Sequence, residues 1–231
     1  MLFIKIEDLL NVSEKLEKTG LRFVFIGGGI IGFLVDDPVA PPVRTTQDID
    51  LVLDMITDPG QELLESKLRV AGFQHDMSDG APLCRWITDG VKVDILSVKD
   101  SFFKLNNNWL AEAVSNPQEV TIRNKRIFIA RAPFFLAMKL EAFADRGKND
   151  FLGSRDIEDV VTVIDGRIQL LEEIQSSKPE LIRFIAESIS RLLKNSDFMQ
   201  SLPGHLPPDP GSQKRYSFIV QKLKKIAELN N

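Results

Sequence analysis

The sequence predicts an α/β protein, with a mixed sheet and its helices over residues 1–130 and a helical domain over residues 131–231. Three observations support this fold class. Short apolar runs alternate with stretches of helical periodicity in the first part. The dipeptide Asp89-Gly90 separates two of these runs and is a strong signal for a two-residue hairpin turn. From Ala132 onward, apolar residues recur at helical spacing.

The first elements are predicted from periodicity and from the residues that interrupt it. Residues 6–19 are expected to form an amphipathic helix, because their apolar residues share one face and Gly20 provides a natural end. Residues 21–26 are expected to form the first strand, which breaks at three glycines. About two helical turns follow, and the prolines from Pro38 onward prevent a longer helix.

The remaining elements of the first part are predicted by the same signals. A second strand begins at Asp48, and two of the later strands are joined by the Asp89-Gly90 turn. The expected ranges are 59–70 and 101–114 for helices, 73–75, 84–88 and 91–98 for strands, and 119–130 for a hairpin that turns at Asn124-Lys125.

The second part is predicted to be helical throughout, apart from one linker. Pro133 suits the first turn of a helix, where no intrahelical N–H donor is needed. Residues 201–212 are rich in proline and glycine and are expected to be a surface linker. The other helices are expected near 166–175, 179–194 and 213–229.

Composition narrows the class of protein. The 231 residues suffice for one large domain or two small ones, and the net charge of -4 argues against a surface covered by a nucleic-acid-binding field. Cys84 is the only cysteine, which excludes an internal disulfide and a thiolate zinc cluster and suits the cytoplasm. The longest apolar run, 23–35, contains four glycines and is shorter than the ~20 residues of a membrane span. The N-terminus carries charges where a signal peptide is apolar, so neither export nor a membrane anchor is expected.

The most informative stretch lies between the first and second strands. At Gly27, Gly28 and Gly29, backbone N–H groups can face a phosphate without a Cβ in the way. Asp48 and Asp50 open the second strand, and residues i and i+2 of a strand lie on one face about 7 Å apart, so the two carboxylates can share a cation. A phosphate cradle beside a carboxylate pair is typical of chemistry on nucleoside triphosphates. The alternative for the two acids is a polar strand start on an exposed edge.

A third acid interrupts a buried pattern in the strand over 91–98. A carboxylate at Asp94 is costly there unless it is paired or bound to a metal ion, so Asp94 is the natural partner of Asp48 and Asp50. The alternative is an ion pair with Lys92 or Arg85.

A dinucleotide-binding site is a competing interpretation of the same glycines. Gly27, Gly29 and Gly32 satisfy G-x-G-x-x-G, with Asp50 and Asp54 near the place of a ribose-binding acid. That fingerprint needs a full crossover helix between its strands, and the prolines after residue 37 leave no room for one.

Together, the glycine turn, Arg44-Thr45-Thr46-Gln47 and Asp48-x-Asp50 resemble the nucleotidyltransferase (polymerase beta-like) fold. The closest resemblance is to the AbiEii/AbiGii-type toxin nucleotidyltransferases of abortive infection and their type IV toxin-antitoxin relatives, and it covers roughly residues 20–165. It implies an active site in a cleft between the two parts of the chain.

The resemblance also assigns roles. It implies that Asp48, Asp50 and Asp94 hold Mg²⁺ or Mn²⁺ and act in catalysis, and that Gly27 and Gly28 cradle the phosphates of an NTP substrate. Thr46 and Arg44 are weaker candidates for contacts nearby.

A later motif of this family begins with a lysine at the nucleotide phosphates. Lys139 shares a helix face with apolar residues, so it either extends toward solvent or meets a buried anion. The resemblance favours the phosphate as that anion, and makes Lys139 catalytic and Asp156 a nucleotide-binding residue. For Asp156 and Asp159 the alternative is ordinary capping of a helix that follows Ser154. The residues that match this motif are Lys139, Arg146, Lys148, Arg155, Asp156 and Asp159.

Three functions compete. The first is a toxin-like nucleotidyltransferase acting on RNA, with tRNA as the acceptor that the resemblance suggests and a cognate antitoxin as partner. The second is a nucleotidyltransferase that modifies a small molecule such as an aminoglycoside, and the third is a nucleotide-binding module without turnover. Between residues 120 and 155 there are eight Lys or Arg and three Asp or Glu, a surplus of five positive charges that favours RNA.

Overall fold

A computed structural model of the protein describes residues 3–54, 61–97 and 108–230. The chain divides into two compact units. One consists of Met1–Ile30 with Arg44–Ala130, and the other of Ile31–Val43 with Arg131–Asn231. The described strands belong to the first unit and most of the described helices to the second.

Seven strands of the first unit form one mixed sheet, which confirms the predicted fold class. Their spatial order is β3-β4-β5-β2-β1-β7-β6. The strands are β1 (Arg22–Ile26), β2 (Asp48–Asp54), β3 (Gln74–His75), β4 (Arg85–Thr88), β5 (Val91–Ser97), β6 (Gln118–Ile122) and β7 (Lys125–Ile129).

The centre of the sheet positions the glycine turn beside the acids. β2 lies between β1, to which it is antiparallel, and β5, to which it is parallel. Ile26, the last residue of β1, is opposite Asp50, and Asp50 is in turn opposite Asp94. Alternation along β2 buries Ile49, Leu51 and Leu53 on the other face, so a shift of one residue would bury the acids instead.

Among the described residues of the first unit, three α-helices accompany the sheet: α1 (Ile6–Glu17), α3 (Gln61–Val70) and α4 (Asn108–Ser115). Helix α1 packs against β7, and α4 packs against β1 and β2. All three confirm predicted helices where the chain is described. Residues 59–60 and 101–107 of the predicted helices, and Val98 of the predicted strand, lie outside the described residues.

One predicted hairpin turn is confirmed and the other is shifted. Asp89 and Gly90 both have positive φ and join β4 to β5, as a two-residue turn of the primed type requires. The hairpin of β6 and β7 turns at Arg123-Asn124, since Ile122 pairs with Lys125. The prediction of Asn124-Lys125 is therefore wrong by one residue, because the register of the two strands decides which pair adopts φ > 0.

The second unit is helical, as predicted. Apolar residues on facing sides of its longer helices form the core; Ile157, Ile185, Ile219 and Leu223 are fully buried. Among the described residues, no helix is long and apolar enough to cross a membrane. The helices are α2 (Ile31–Leu34), α5 (Ala132–Arg146), α6 (Arg155–Gly166), α7 (Leu170–Gln175), α8 (Pro179–Lys194), α9 (Ser196–Ser201) and α10 (Pro210–Ala227).

The predicted surface linker over 201–212 is wrong. A 3₁₀ helix (Leu202–His205) continues from α9, and Leu202 and Leu206 are buried. Asp209 then caps α10, whose first residue is Pro210. Pro203 and Pro210 lie in the first turns of these two helices, where their fixed φ is favourable, and the two leucines supply the buried contacts.

The short segment after the glycine turn is fixed to the helical unit by ion pairs. Arg215 donates to both carboxylate oxygens of Asp165 at 2.8 Å and to Asp37 at 2.6 Å. Arg167 contacts Asp36 at 3.1 Å. These half-buried pairs hold the backbone of residues 36–37 against α6, and nothing in the sequence pattern predicted them.

Candidate functional site

The glycine turn and strand β2 meet at a contact that only glycine permits. Gly27 has φ +69°, a left-handed conformation that favours glycine. A Cβ placed on Gly27 would lie 2.6 Å from Cγ and 2.8 Å from Cβ of Asp50, and closer still to its Oδ2. The carboxylate of Asp50 therefore lies directly over the bare backbone of the turn.

Two residues of the connection between β1 and β2 lie beside the same turn. A Cβ on Gly28 would be 2.9 Å from Nη2 of Arg44, so a guanidinium group covers the second glycine. Thr46 donates from Oγ1 to Oδ1 of Asp48 at 2.9 Å. Arg44 thus brings positive charge to the turn, and Thr46 orients the first acid.

The three predicted acids lie on neighbouring strands. Asp48 and Asp50 are at i and i+2 of β2, on one face, and Asp94 is the direct parallel neighbour of Asp50 on β5. β2 is a central strand of the sheet, so the alternative of a polar start on an exposed edge is wrong for Asp48 and Asp50.

Arg85 on β4 binds two of these acids. Its Nε donates to Oδ1 of Asp94 at 2.8 Å and its Nη2 to Oδ2 of Asp94 at 2.7 Å, and Nη2 also donates to Asp48 at 3.2 Å. Arg85 and Asp94 are cross-strand neighbours of the β4–β5 hairpin. These hydrogen bonds, against the opposing effect of burial, raise the pKa of the guanidinium. The ion pair with Arg85, the alternative considered for Asp94, is present.

The fit of a divalent cation differs between the acids. Asp48 and Asp50 offer hard oxygen donors on one face, which suit Mg²⁺. Asp94 is already bound at both carboxylate oxygens by Arg85. Over residues 3–54, 61–97 and 108–230, no three His, Cys, Asp or Glu side chains are arranged to hold a metal ion. A divalent cation would therefore be held by Asp48 and Asp50 more readily than by Asp94.

Lys139 of α5 is buried in the helical unit beside carboxylates of α6. Its Nζ lies 2.7 Å from Oδ2 of Asp159 and 3.1 Å from Oδ1 of Asp156. Burial lowers the pKa of this ammonium, but attraction to Asp159 and Asp156 outweighs burial, and the pKa is raised. Of the two alternatives for Lys139, solvent or a buried anion, the second is observed. The anions are the carboxylates of Asp156 and Asp159, in the same helical unit as Lys139. A contact of Lys139 with phosphate stays a prediction.

Asp156 does not cap its helix. Ser154 is the cap and accepts from the N–H of Ile157 at 3.4 Å. Asp156 accepts instead from Lys139 and, through both oxygens, from Arg146 at 3.0 and 3.1 Å. Its predicted role in nucleotide binding is separate from these contacts and stays a prediction.

The dinucleotide interpretation of Gly27, Gly29 and Gly32 fails on topology. The G-x-G-x-x-G fingerprint belongs to parallel strands joined by a crossover helix. Here β1 and β2 are antiparallel neighbours, and the only described helix segments between them are a short 3₁₀ turn and the four-residue α2.

Sequence reasoning missed the central position of Arg85. It appeared only as an alternative partner of Asp94, since nothing in a single strand pattern shows which residue of the neighbouring strand is opposite. The Asp89-Gly90 turn could have indicated it, because a two-residue turn pairs Thr88 with Val91 and hence Arg85 with Asp94.

Comparison with known structures supports the fold. An antigenic nucleotidyltransferase-like protein from Paracoccidioides brasiliensis superimposes with a TM-score of 0.53 at 18% identity, over 88% of this chain and 95% of that chain. A candidate nucleotidyltransferase from H. pylori matches 98% of this chain and 97% of its own, at 11% identity and a TM-score of 0.46. No family model matches the chain, and neither does any curated protein. The chain thus has a nucleotidyltransferase-like fold, and the identity is too low to transfer an activity.

Proposed function

We propose that this protein is a metal-dependent nucleotidyltransferase that moves a nucleotide from an NTP to an acceptor. The observation that carries the proposal is the contact between Gly27 and Asp50. It brings a turn of bare backbone, with the guanidinium of Arg44 over Gly28, beside a metal-binding type of carboxylate pair. A polyphosphate such as the triphosphate of an NTP calls for both, backbone N–H groups that bind its oxygens and a cation that offsets its charge.

The reaction is a substitution at the α-phosphorus of the NTP. An acceptor hydroxyl oxygen forms a bond to the α-phosphorus, and the bond from that phosphorus to the oxygen bridging to the β-phosphorus breaks. Pyrophosphate leaves with the bonding electron pair. The proton of the hydroxyl passes to a carboxylate, for which Asp94 is the proposed acceptor, because each of its oxygens has a further lone pair beyond the bond from Arg85.

The protein's residues divide the remaining work. The backbone N–H groups of the turn at Gly27 and Gly28 are the proposed donors to the β- and γ-phosphates, and Arg44, whose guanidinium lies beside Gly28, would offset their charge. Asp48, which accepts from Thr46, and Asp50, which lies over the turn, would hold the cation. A bound Mg²⁺ or Mn²⁺ would neutralise charge on the triphosphate that would otherwise repel the attacking oxygen.

Lys139 is retained as a proposed phosphate contact. Its two carboxylate partners show that the ammonium is stable without a nucleotide, so this contact would have to compete with Asp156 and Asp159.

The proposed acceptor is RNA, tRNA in the first instance, as in the AbiEii-type toxin nucleotidyltransferases that the motifs resemble, with an antitoxin as partner. The positive surplus over residues 120–155 gives this little support. Arg123 and Lys125 pair with Glu7 and Glu14, Arg126 lies 3.8 Å from Glu119, and Lys139 and Arg146 pair within the helical unit. The choice of RNA therefore rests on the resemblance.

A transfer assay tests the proposal. The protein is incubated with Mg²⁺, total RNA and each of the four α-³²P-labelled NTPs in turn, and labelled RNA and released pyrophosphate are measured. We expect label in RNA with one NTP and none with Asp48→Asn. Pyrophosphate release that depends on a small-molecule extract and not on RNA would support the small-molecule acceptor. No pyrophosphate with any acceptor, together with normal NTP binding, would support a binding module without turnover.

A further inference from the structure

Arg85 holds Asp94 in a geometry that leaves little place for a metal ion. The guanidinium makes two hydrogen bonds to the two oxygens of Asp94, in the parallel fork that is the strongest arrangement of this pair. Both side chains are largely buried, Arg85 with 18% and Asp94 with 14% of the side chain exposed. A bound pair at this depth is costly to separate, because each charge would be left without a partner.

The same guanidinium also reaches the acid pair on β2. Nη2 of Arg85 donates to Oδ2 of Asp48 at 3.2 Å, while Oδ1 of Asp48 accepts from Thr46. Arg85 therefore bridges β2 and β5 on the acid side of the sheet, where a cation shared by Asp48 and Asp94 would otherwise lie. Two positive charges in that position would repel each other in a partly buried site.

The other two acids form a pair on one strand. Asp50 follows Asp48 at i+2 on one face of β2, whereas Asp94 lies on β5 and is held there by Arg85. A single divalent cation would therefore have its carboxylate ligands on β2.

We propose that Arg85 takes the place of a second divalent cation, so that the site holds a single metal ion, at Asp48 and Asp50, together with the nucleotide. This rests on the proposed function. Arg85 is then a positioning residue: it holds Asp94 toward the acceptor and supplies fixed positive charge, where a two-metal enzyme would use a second ion.

Counting bound Mn²⁺ tests this inference. The probe is Mn²⁺ with a saturating α,β-methylene NTP analogue, which cannot release pyrophosphate by the usual cleavage, and bound Mn²⁺ per protein is counted by electron paramagnetic resonance. We expect one Mn²⁺ in the wild type and a second, weaker one in Arg85→Gln, which removes the charge and keeps much of the length. Lys92→Gln is the matched control, since Lys92 is an exposed cation on β5 in register with Asp48. The Lys92→Gln protein should bind one Mn²⁺, like the wild type.

The outcomes separate the inference from the proposed function. Two Mn²⁺ ions in the wild type, or one in both wild type and Arg85→Gln, would overturn the inference and leave the nucleotidyltransferase proposal standing. No Mn²⁺ in the wild-type complex would instead contradict the proposed function.

Two further variants cover the case in which Arg85→Gln does not fold. Arg85→Lys retains the charge without the fork and should keep one Mn²⁺. Asp94→Asn should change the affinity for Mn²⁺ less than about threefold, because Asp94 is not a ligand in this scheme. A tenfold loss of affinity in Asp94→Asn would show that Asp94 binds the metal and would overturn the inference.

Discussion

Substituting Gly27 with alanine should disrupt the candidate site through one atom. The new Cβ would lie 2.6 Å from Cγ and 2.8 Å from Cβ of Asp50, distances at which the aspartate side chain must move. Gly27 also has φ +69°, which an alanine adopts only with strain. The substitution should therefore lower stability and displace a proposed metal ligand at the same time.

The loss of unfolding free energy in Gly27→Ala has two contributions. The left-handed backbone costs alanine about 1–2 kcal/mol. Forcing an extra carbon into a filled position costs about 1–3 kcal/mol. The free energy of unfolding should thus fall by about 2–5 kcal/mol, which for a chain of this length corresponds to a melting temperature lower by roughly 5–15 °C.

Gly20→Ala is the matched control. Gly20 has φ +70°, but a Cβ placed there has no atom of the described residues within 4 Å. It carries the same backbone strain, and the same loss of freedom in the unfolded chain, without the collision. The difference between the two variants, measured by urea unfolding, isolates the contact with Asp50.

Asp50→Gly completes a double-mutant cycle with Gly27→Ala. Removing the whole side chain of Asp50 leaves the new Cβ with space, so the coupling free energy should be about 1–3 kcal/mol. If Gly27→Ala costs no more than Gly20→Ala, or if the cycle shows no coupling, then Asp50 does not lie over the turn and the geometry described here is wrong.

Three other expectations follow from buried ionisable groups. Lys139→Met should lower the free energy of unfolding of the nucleotide-free protein by about 3–5 kcal/mol, because it removes the cation 2.7 Å from the fully buried Asp159, while Asp156 keeps its bonds from Arg146. The exposed Lys148→Met should be near neutral, and equal stability of both variants would contradict the ion-pair assignment. Burial, with a smaller contribution from the neighbouring Asp145, raises the pKa of Glu141 above its usual 4.5, so the charge on Glu141 destabilises the folded state only at pH values above 4.5. Glu141→Gln should therefore raise the melting temperature at pH 7 and leave it unchanged at pH 4. A higher melting temperature at both pH values would exclude the electrostatic cause. Burial also raises the pKa of Cys84 to about 11, which lowers the thiolate fraction at pH 8. The folded protein should therefore react with a thiol reagent at pH 8 at least about a hundredfold more slowly than the urea-unfolded protein. Rapid labelling of the folded protein would refute the raised pKa.

The fold was largely predictable because local signals and topology agree. The Asp89-Gly90 turn, the glycine break after β1 and the prolines after residue 37 each restrict the backbone by steric rules that hold in any context. The linker prediction over 201–212 failed because prolines and glycines mark helix ends as well as loops, and burial of Leu202 and Leu206 decided between them.

The candidate site was predictable in part. Spacing along one strand places Asp48 and Asp50 on one face without any tertiary information. The partners of Asp94 and Lys139 depend on which side chains of neighbouring elements lie beside them, and the sequence alone leaves several candidate partners for each. Arg85 and the aspartates of α6 became identifiable only when strand register and helix packing were known.

The most direct test of the central claim is the effect of a nucleotide and Mg²⁺ on the melting temperature. At a ligand concentration a hundred times the dissociation constant, binding should stabilise the protein by about 2.7 kcal/mol, which raises the melting temperature by roughly 5–10 °C. The shift should need Mg²⁺ and NTP together and should vanish in the double variant Asp48→Asn/Asp50→Asn. Asp79→Asn, the same type of substitution at an exposed position, should retain it. An NTP that stabilises the double variant as much as the wild type would contradict the assignment of the glycine turn and Asp48 and Asp50 as the nucleotide and metal site.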